Sequence, residues 1–172
     1  MSLLRILHYP EPVLAKKAEP VLEVNDSIKK LAADMAETMY DAPGVGLAAP
    51  QVGISQRLIV LDCAGKDESP HLIAAVNPEI VEAEGECFEE EGCLSVPAFY
   101  AKVKRSVSVR VRFRDLENQQ VEMETDGLLA IAFQHEIDHL DGILFVDHLS
   151  SLKKGIFKKK YKKILEQMEE ER

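Results

Sequence analysis

The stretch "LLAIAFQHEIDHL", Leu128 to Leu140, constrains this chain more than any other. Leu128, Leu129, Ala130, Ile131, Ala132 and Phe133 are apolar on every side of a helix, so that helix must enter a core. It then runs straight on into two histidines and a glutamate. Residues four apart on a helix differ by about 40° in direction, so His135 and His139 face one way, with Glu136 roughly 60° from His139. Buried polar atoms need partners, and a divalent ion is the most economical one for such a cluster. Thr125 or Asp126 caps the helix and Gly142 stops it, which predicts a span of about residues 126 to 141.

This geometry suits metal-assisted hydrolysis, in which an ion acidifies a water, a carboxylate takes the proton and hydroxide attacks a polarised carbonyl. Short H-E-x-x-H matches also arise by chance on solvated faces, and the oily run before this one favours a site. A catalytic centre needs a third protein ligand. An H-x-x-G-x-x-H continuation fails, because Gly142 fits but Phe145 stands where the histidine would be. Glutamates resume only at Glu166, in a charged tail. Cys63, Cys87 and Cys93 remain. Cys93, in "EEEGCLSVP", follows a glycine that allows close backbone approach, and its acidic neighbours disfavour a free thiolate that a cation would stabilise. Chemistry alone puts Cys93 modestly ahead of the other two.

At 172 residues the chain suits one domain, 1–172, large enough to bury a core without staples. A helix is predicted from Asn25 or Asp26 to about Ala42, ahead of Pro43 and Gly44. "RLIVLDC", "HLIAAVNPEIVEAEGE", "AKVKRSVSVRVRFRD" and "QQVEMET" read as strands, with turns at Asn77-Pro78 and Glu117-Asn118 and Cys87 in a turn. In the third, Val103, Val107, Val109, Val111 and Phe113 mark the buried face. Strands grouped between helices imply an α+β fold, with antiparallel or mixed sheets packed around the central histidine helix. A lysine-rich helical extension, 151–172, closes the chain, with Phe157, Tyr161, Ile164 and Met168 on one stripe.

The net charge of −9 argues against broad capture of nucleic acid, and no DNA partner is expected. No apolar run approaches the length of a membrane span, so no membrane partner is expected either. Three cysteines cannot all pair, and the start of the chain lacks the marks of a secretory signal, which together predict reduced thiols and a cytoplasmic protein. "GVGLAAPQVG", Gly44 to Gly53, is too rich in Gly and Pro for regular structure. It matches a dinucleotide fingerprint in letters but follows a helix instead of a strand, so nucleotide binding is disfavoured. It is either a plain turn or a tight loop of backbone donors in which Gln51 offers its amide to an oxyanion.

Taken together, "GVGLAAPQ" (Gly44 to Gln51), "EGCLS" (Glu91 to Ser95) and "QHEIDHL" (Gln134 to Leu140) resemble the three signature motifs of peptide deformylases, in order and at similar separations. "ILHYPEPVL" and "DGLLAIAFQHEIDHLDGILFVDHLS" extend the resemblance to about Ser150. It implies that Cys93, His135 and His139 hold one divalent ion, most often Fe2+, with Zn2+, Ni2+ or Co2+ also found. It implies Glu136 as general base and then acid, and Gln51 with the Leu94 backbone N–H as oxyanion donors. The implied substrate is a nascent peptide beginning with N-formylmethionine, laid against Val45, Gly46 and Glu91, Gly92 and Cys93. Val45, Leu128 and Ile131 are candidates for the methionine pocket, and the last two read equally well as core. Gln134 is expected to support the ligands.

Some relatives carry an arginine where this chain has Tyr100, an aromatic that could instead cover the peptide. Many have Pro-Arg where Lys104-Arg105 stands here, and a buried Glu91–Arg105 pair is expected to support the cysteine loop. Seven lysines between Lys153 and Lys163 suit a solvated face, and the resemblance adds ribosome contact through this helix. Two rival readings share the motif: a zinc endopeptidase, and a closed structural metal module with His148 as fourth ligand.

Overall fold

The computed structural model describes residues 2–171, so Met1 and Arg172, the ends of the expected domain, lie outside it. Helix α1, Asp26–Asp41, begins where Asn25 accepts the Ile28 N–H through its side chain at 3.0 Å. Five strands, β1 (Gly46–Ala48), β2 (Leu58–Leu61), β3 (Ile73–Glu84), β6 (Ser108–Arg114) and β7 (Gln120–Asp126), form an antiparallel sheet in the order β1-β2-β3-β6-β7. β4 (Cys87–Cys93) and β5 (Val96–Arg105) form a separate antiparallel hairpin. The remaining helices are α2, Gly127–Leu140, and α3, Ser151–Glu170.

The large sheet is covered on both faces near β2, whose four residues are all buried. Successive strand residues point to opposite faces. Leu58 and Val60 therefore pack with Met35 and Met39 of α1, while Ile59 and Leu61 pack with Phe133, Ile137 and Leu140 of α2. The second helix thus enters the core, as its oily run requires. A third apolar cluster joins the β4–β5 hairpin, through Val96 and Val103, to the 3-10 turn Phe145–His148 and to Phe157 and Tyr161 of α3. Ile164 packs against this cluster and Met168 is half-buried, so the predicted stripe faces the body. No helix of the described residues is long and apolar enough to cross a membrane.

Four local expectations are corrected. "AKVKRSVSVRVRFRD" is two strands in two sheets, broken at Ser106-Val107, and Val107 is exposed instead of lying on the buried face. The corner is held by Gln134, which accepts the Ser106 N–H at 2.9 Å and donates to the Ser106 carbonyl at 2.9 Å. Asn77-Pro78 does not end a strand: β3 runs through it on an irregularity, with Asn77 at φ 51° and its side chain bridging the N–H and carbonyl of Val21. Cys87 opens β4 instead of lying in a turn. Within Gly44 to Gly53, three residues pair with β2 as β1, and Ala49–Val52 forms a 3-10 turn.

Gly142 ends α2 at φ 77°, and a Cβ there would come within 2.7 Å of the Ala15 carbonyl oxygen. Gly127, at the other end, has φ 63° and open space around it. Gly142→Ala therefore carries both conformational strain and a backbone clash and should lower unfolding free energy by about 3 kcal/mol, against about 1 kcal/mol for Gly127→Ala. Equal losses in denaturant melts of the two variants would contradict this.

Candidate active site

α2 delivers His135 and His139 to one side, and the end of β4 delivers Cys93 opposite them. One ligand atom from each lies within 4.8 Å of the others. Cys93 Sγ is 3.2 Å from His139 Nε2, close to the roughly 3.5 Å that tetrahedral ligation at ordinary metal–sulfur and metal–nitrogen lengths would set. His135 donates its Nδ1 hydrogen to Glu91 Oε1 at 3.0 Å, which leaves Nε2 as the atom at which an ion would take the place of a proton. Buried free Nδ1 of His139 has no partner among the described residues. The donor set, one thiolate and two imidazoles, fits a single divalent metal ion.

Charge around the cluster favours a cation. Burial opposes charge on His135, but Glu136, Cys93 and Glu91 outweigh it and raise its pKa well above the usual imidazole value. Burial, reinforced by His135 and Arg105, holds His139 well below that value, so it is neutral as a ligand must be. Glu91 would be raised by burial alone. Its hydrogen bonds from Arg105, at 2.8 Å to each oxygen, and from His135 bring it down to about 2. The expected buried Glu91–Arg105 pair is therefore present, and Arg105 also donates to Asp138 at 2.7 Å.

Glu136 is pushed up to about 7, chiefly by burial. Its Oε1 has no partner among the described residues, and its Oε2 lies over Gly46, where any Cβ would come within 2.5 Å of it. Gln51 is fixed at its acceptor end by the Ala48 N–H at 2.9 Å. Its amide nitrogen donates to Ser95 Oγ at 3.1 Å and to Cys93 Sγ at 3.6 Å. Leu94 packs over Gly44, where a Cβ would come within 2.8 Å of its side chain.

These groups open on a cavity of about 690 Å³ lined by Val45, Gly46, Gln51, Glu91, Gly92, Cys93, Leu94, Leu128, Ile131, His135 and Glu136. Leu128 and Ile131 thus face the cavity; Leu128, at 54% exposed, is not core. Tyr100 also lines it, with its ring lying on Gly92. The sequence reading missed Pro97, Ala98 and Phe99, which β5 brings to the wall, and Phe145, whose ring stacks 6.2 Å from His135. None of these carries a polar signature. Cys63 and Cys87 lie outside the cluster, and Cys63 is raised to about 11 by burial and neighbouring carboxylates. His148 does not join it either: its Nε2 donates to Asp138 at 2.8 Å, so it is not a fourth ligand.

Because Glu136 binds its proton more tightly folded than unfolded, the native protein holds more protons between pH 4.5 and about 7, and stability falls as pH rises through that window. In the metal-free protein Glu136→Gln should therefore be the more stable form at pH 8, by on the order of 3 kcal/mol, with the gap closing below pH 4.5. A pH-independent difference in thermal melts would be incompatible with a buried, raised carboxyl.

Residues 3–155 match the model of the polypeptide deformylase family. A curated relative, peptide deformylase of Thermodesulfovibrio yellowstonii, is 51% identical over 94% of this chain and 98% of its own length. The crystal structure of a peptide deformylase from Legionella pneumophila superposes with a TM-score of 0.90 at 46% identity, covering 96% of this chain and 97% of that one. That of peptide deformylase from Ehrlichia chaffeensis in complex with actinonin gives 0.89 at 36% identity, covering 95% and 98%. With the Cys-His-His cluster and the adjacent buried glutamate, these likenesses place the chain in the polypeptide deformylase family.

Proposed function

We propose that the chain hydrolyses the formyl amide of N-formylmethionyl peptides, releasing formate and a free amino terminus. One observation carries this: a Cys93–His135–His139 cluster beside a buried carboxyl with pKa near 7, at the wall of a peptide-sized cavity in a deformylase fold. An ion held by Cys93 and the two histidines would supply Lewis acidity and make water a nucleophile near neutral pH. Glu136 accepts the proton of the attacking water as its oxygen bonds the formyl carbon. The Gln51 amide and the Leu94 backbone N–H receive the oxyanion. As the C–N bond breaks, Glu136 returns the proton to the departing amine.

The peptide lies extended between β1, an edge of the large sheet, and β4 of the hairpin, against Val45, Gly46, Glu91 and Gly92. Its methionine side chain enters among Val45, Leu128 and Ile131, and Tyr100 covers the strand beyond. We assign Fe2+ as the ion; Zn2+, Ni2+ and Co2+ suit the same donors, and a thiolate beside iron makes the enzyme oxygen-sensitive. The site of action is cytoplasmic, on nascent chains, and the lysine face of α3 contacts ribosomal RNA.

Anaerobic ferrous protein should release formate from formyl-Met-Ala-Ser, and Glu136→Ala should be slower by about 10³-fold. A wild type no faster than that variant, or cleavage of internal peptide bonds instead, would sink the assignment. Arg105→Ala should lose activity through weaker metal binding, by about 10- to 100-fold. Truncation after Ser151 should abolish salt-sensitive ribosome sedimentation; retained binding would remove the contact.

A further inference from the structure

The β4–β5 hairpin leans on the Phe145–His148 turn and α3 through apolar contacts, whereas its junction with α2 is polar. That junction closes on itself. His135 of α2 donates to Glu91 of β4 at 3.0 Å. Glu91 takes two hydrogen bonds from Arg105 of β5, at 2.8 Å each. Arg105 then uses Nη1 to donate to Asp138 Oδ2, at 2.7 Å, back on α2. The ring thus leaves and re-enters one helix three residues apart. A side-on arginine–carboxylate pair alone can swing as a unit, and a third anchor on α2 fixes its orientation. The same Oδ2 accepts His148 Nε2 at 2.8 Å, which ties the Phe145–His148 turn to the ring.

We propose that Asp138 and His148 are positioning residues for the metal centre. They hold the Arg105–Glu91 pair in register with α2, and so hold both the His135 tautomer and the distance from Cys93 on β4 to the histidines. Neither touches a ligand atom: Asp138 acts through Arg105, and His148 through Asp138. This rests on Cys93, His135 and His139 binding one ion. Arg105 and Glu91 are each at least nine-tenths buried, so the ring is sheltered from water up to Asp138, whose side chain is 22% exposed. His148, at 37%, lies at its wet end.

The test measures zinc affinity by chelator competition for wild type, Asp138→Ala, Asp138→Asn and His148→Ala, each verified as folded by circular dichroism. Asp138→Ala should weaken zinc binding by about 10- to 100-fold, and Asp138→Asn, which keeps an acceptor oxygen, by less. His148→Ala, at an exposed position that folding tolerates, should weaken it by about threefold, with His148→Gln restoring it through its amide donor. In the zinc-loaded protein, the His135 ring nitrogens should give broadened signals in Asp138→Ala by nitrogen-15 NMR. Lowered melting temperatures with unchanged zinc affinity would make the two residues merely structural and overturn the proposal. Wild type that binds no stoichiometric zinc would overturn the metal centre as well, which separates the two failures.

Discussion

Removing a carboxylate or imidazole from water without a partner costs several kcal/mol, and α2 removes Gln134, His135, Glu136 and His139 together. Much of the structure answers that demand. Gln134 is satisfied by both backbone groups of Ser106 and by the Ala130 carbonyl at 3.0 Å. That bond pair creates the corner at which one apparent strand becomes two. His135 is satisfied by Glu91, and Glu91 by Arg105, which is why a hairpin detached from the main sheet lies against this helix. The apolar half of α2 is what makes the arrangement possible, since Phe133, Ile137 and Leu140 seat it on the sheet and carry the polar half inward.

Two buried carboxyls near one another end in opposite states. Glu91 has three hydrogen bonds to its charged form and stays ionised in acid, near a pKa of 2. Glu136 has one oxygen buried without a hydrogen-bond partner among the described residues and a glycine beneath the other, and burial carries it to about 7. The first is suited to holding an imidazole still. The second is suited to passing a proton in either direction near neutral pH.

The periodicity and capping of the sequence disclosed α1 and α2 closely, because Asn25 and Gly142 act locally, although Asp126 stands at the N-cap of α2 without a capping bond from its side chain. Most of the strand content was legible for the same reason, but β1, β4 and the partition into two sheets were not. Nothing in "KRSVSV" distinguishes a straight strand from one bent by a glutamine 28 residues away. The cluster showed a similar division. His135, Glu136 and His139 follow from helix geometry, whereas chemistry alone put Cys93 only modestly ahead of the other two cysteines and resemblance to a family singled it out. Phe99 and Phe145 were invisible as site residues because an apolar side chain carries no sign of which cavity it will line. Asp138 carried no role in the sequence and His148 only that of a rival ligand, and their ring depends on contacts between elements that sequence spacing does not encode.

Cys93 and His139 lie 46 residues apart along the chain. An ion shared between them closes that segment into a loop, and in the unfolded ensemble such a closure would remove conformational freedom equivalent to about 4 kcal/mol. The hairpin bearing Cys93 shares no strand pairing with the main sheet, so it is the part of the fold with most to gain from such a clasp. The centre that carries out the chemistry would therefore also govern how often this corner of the molecule opens, and loss of the ion would show first as local unfolding of β4 and β5.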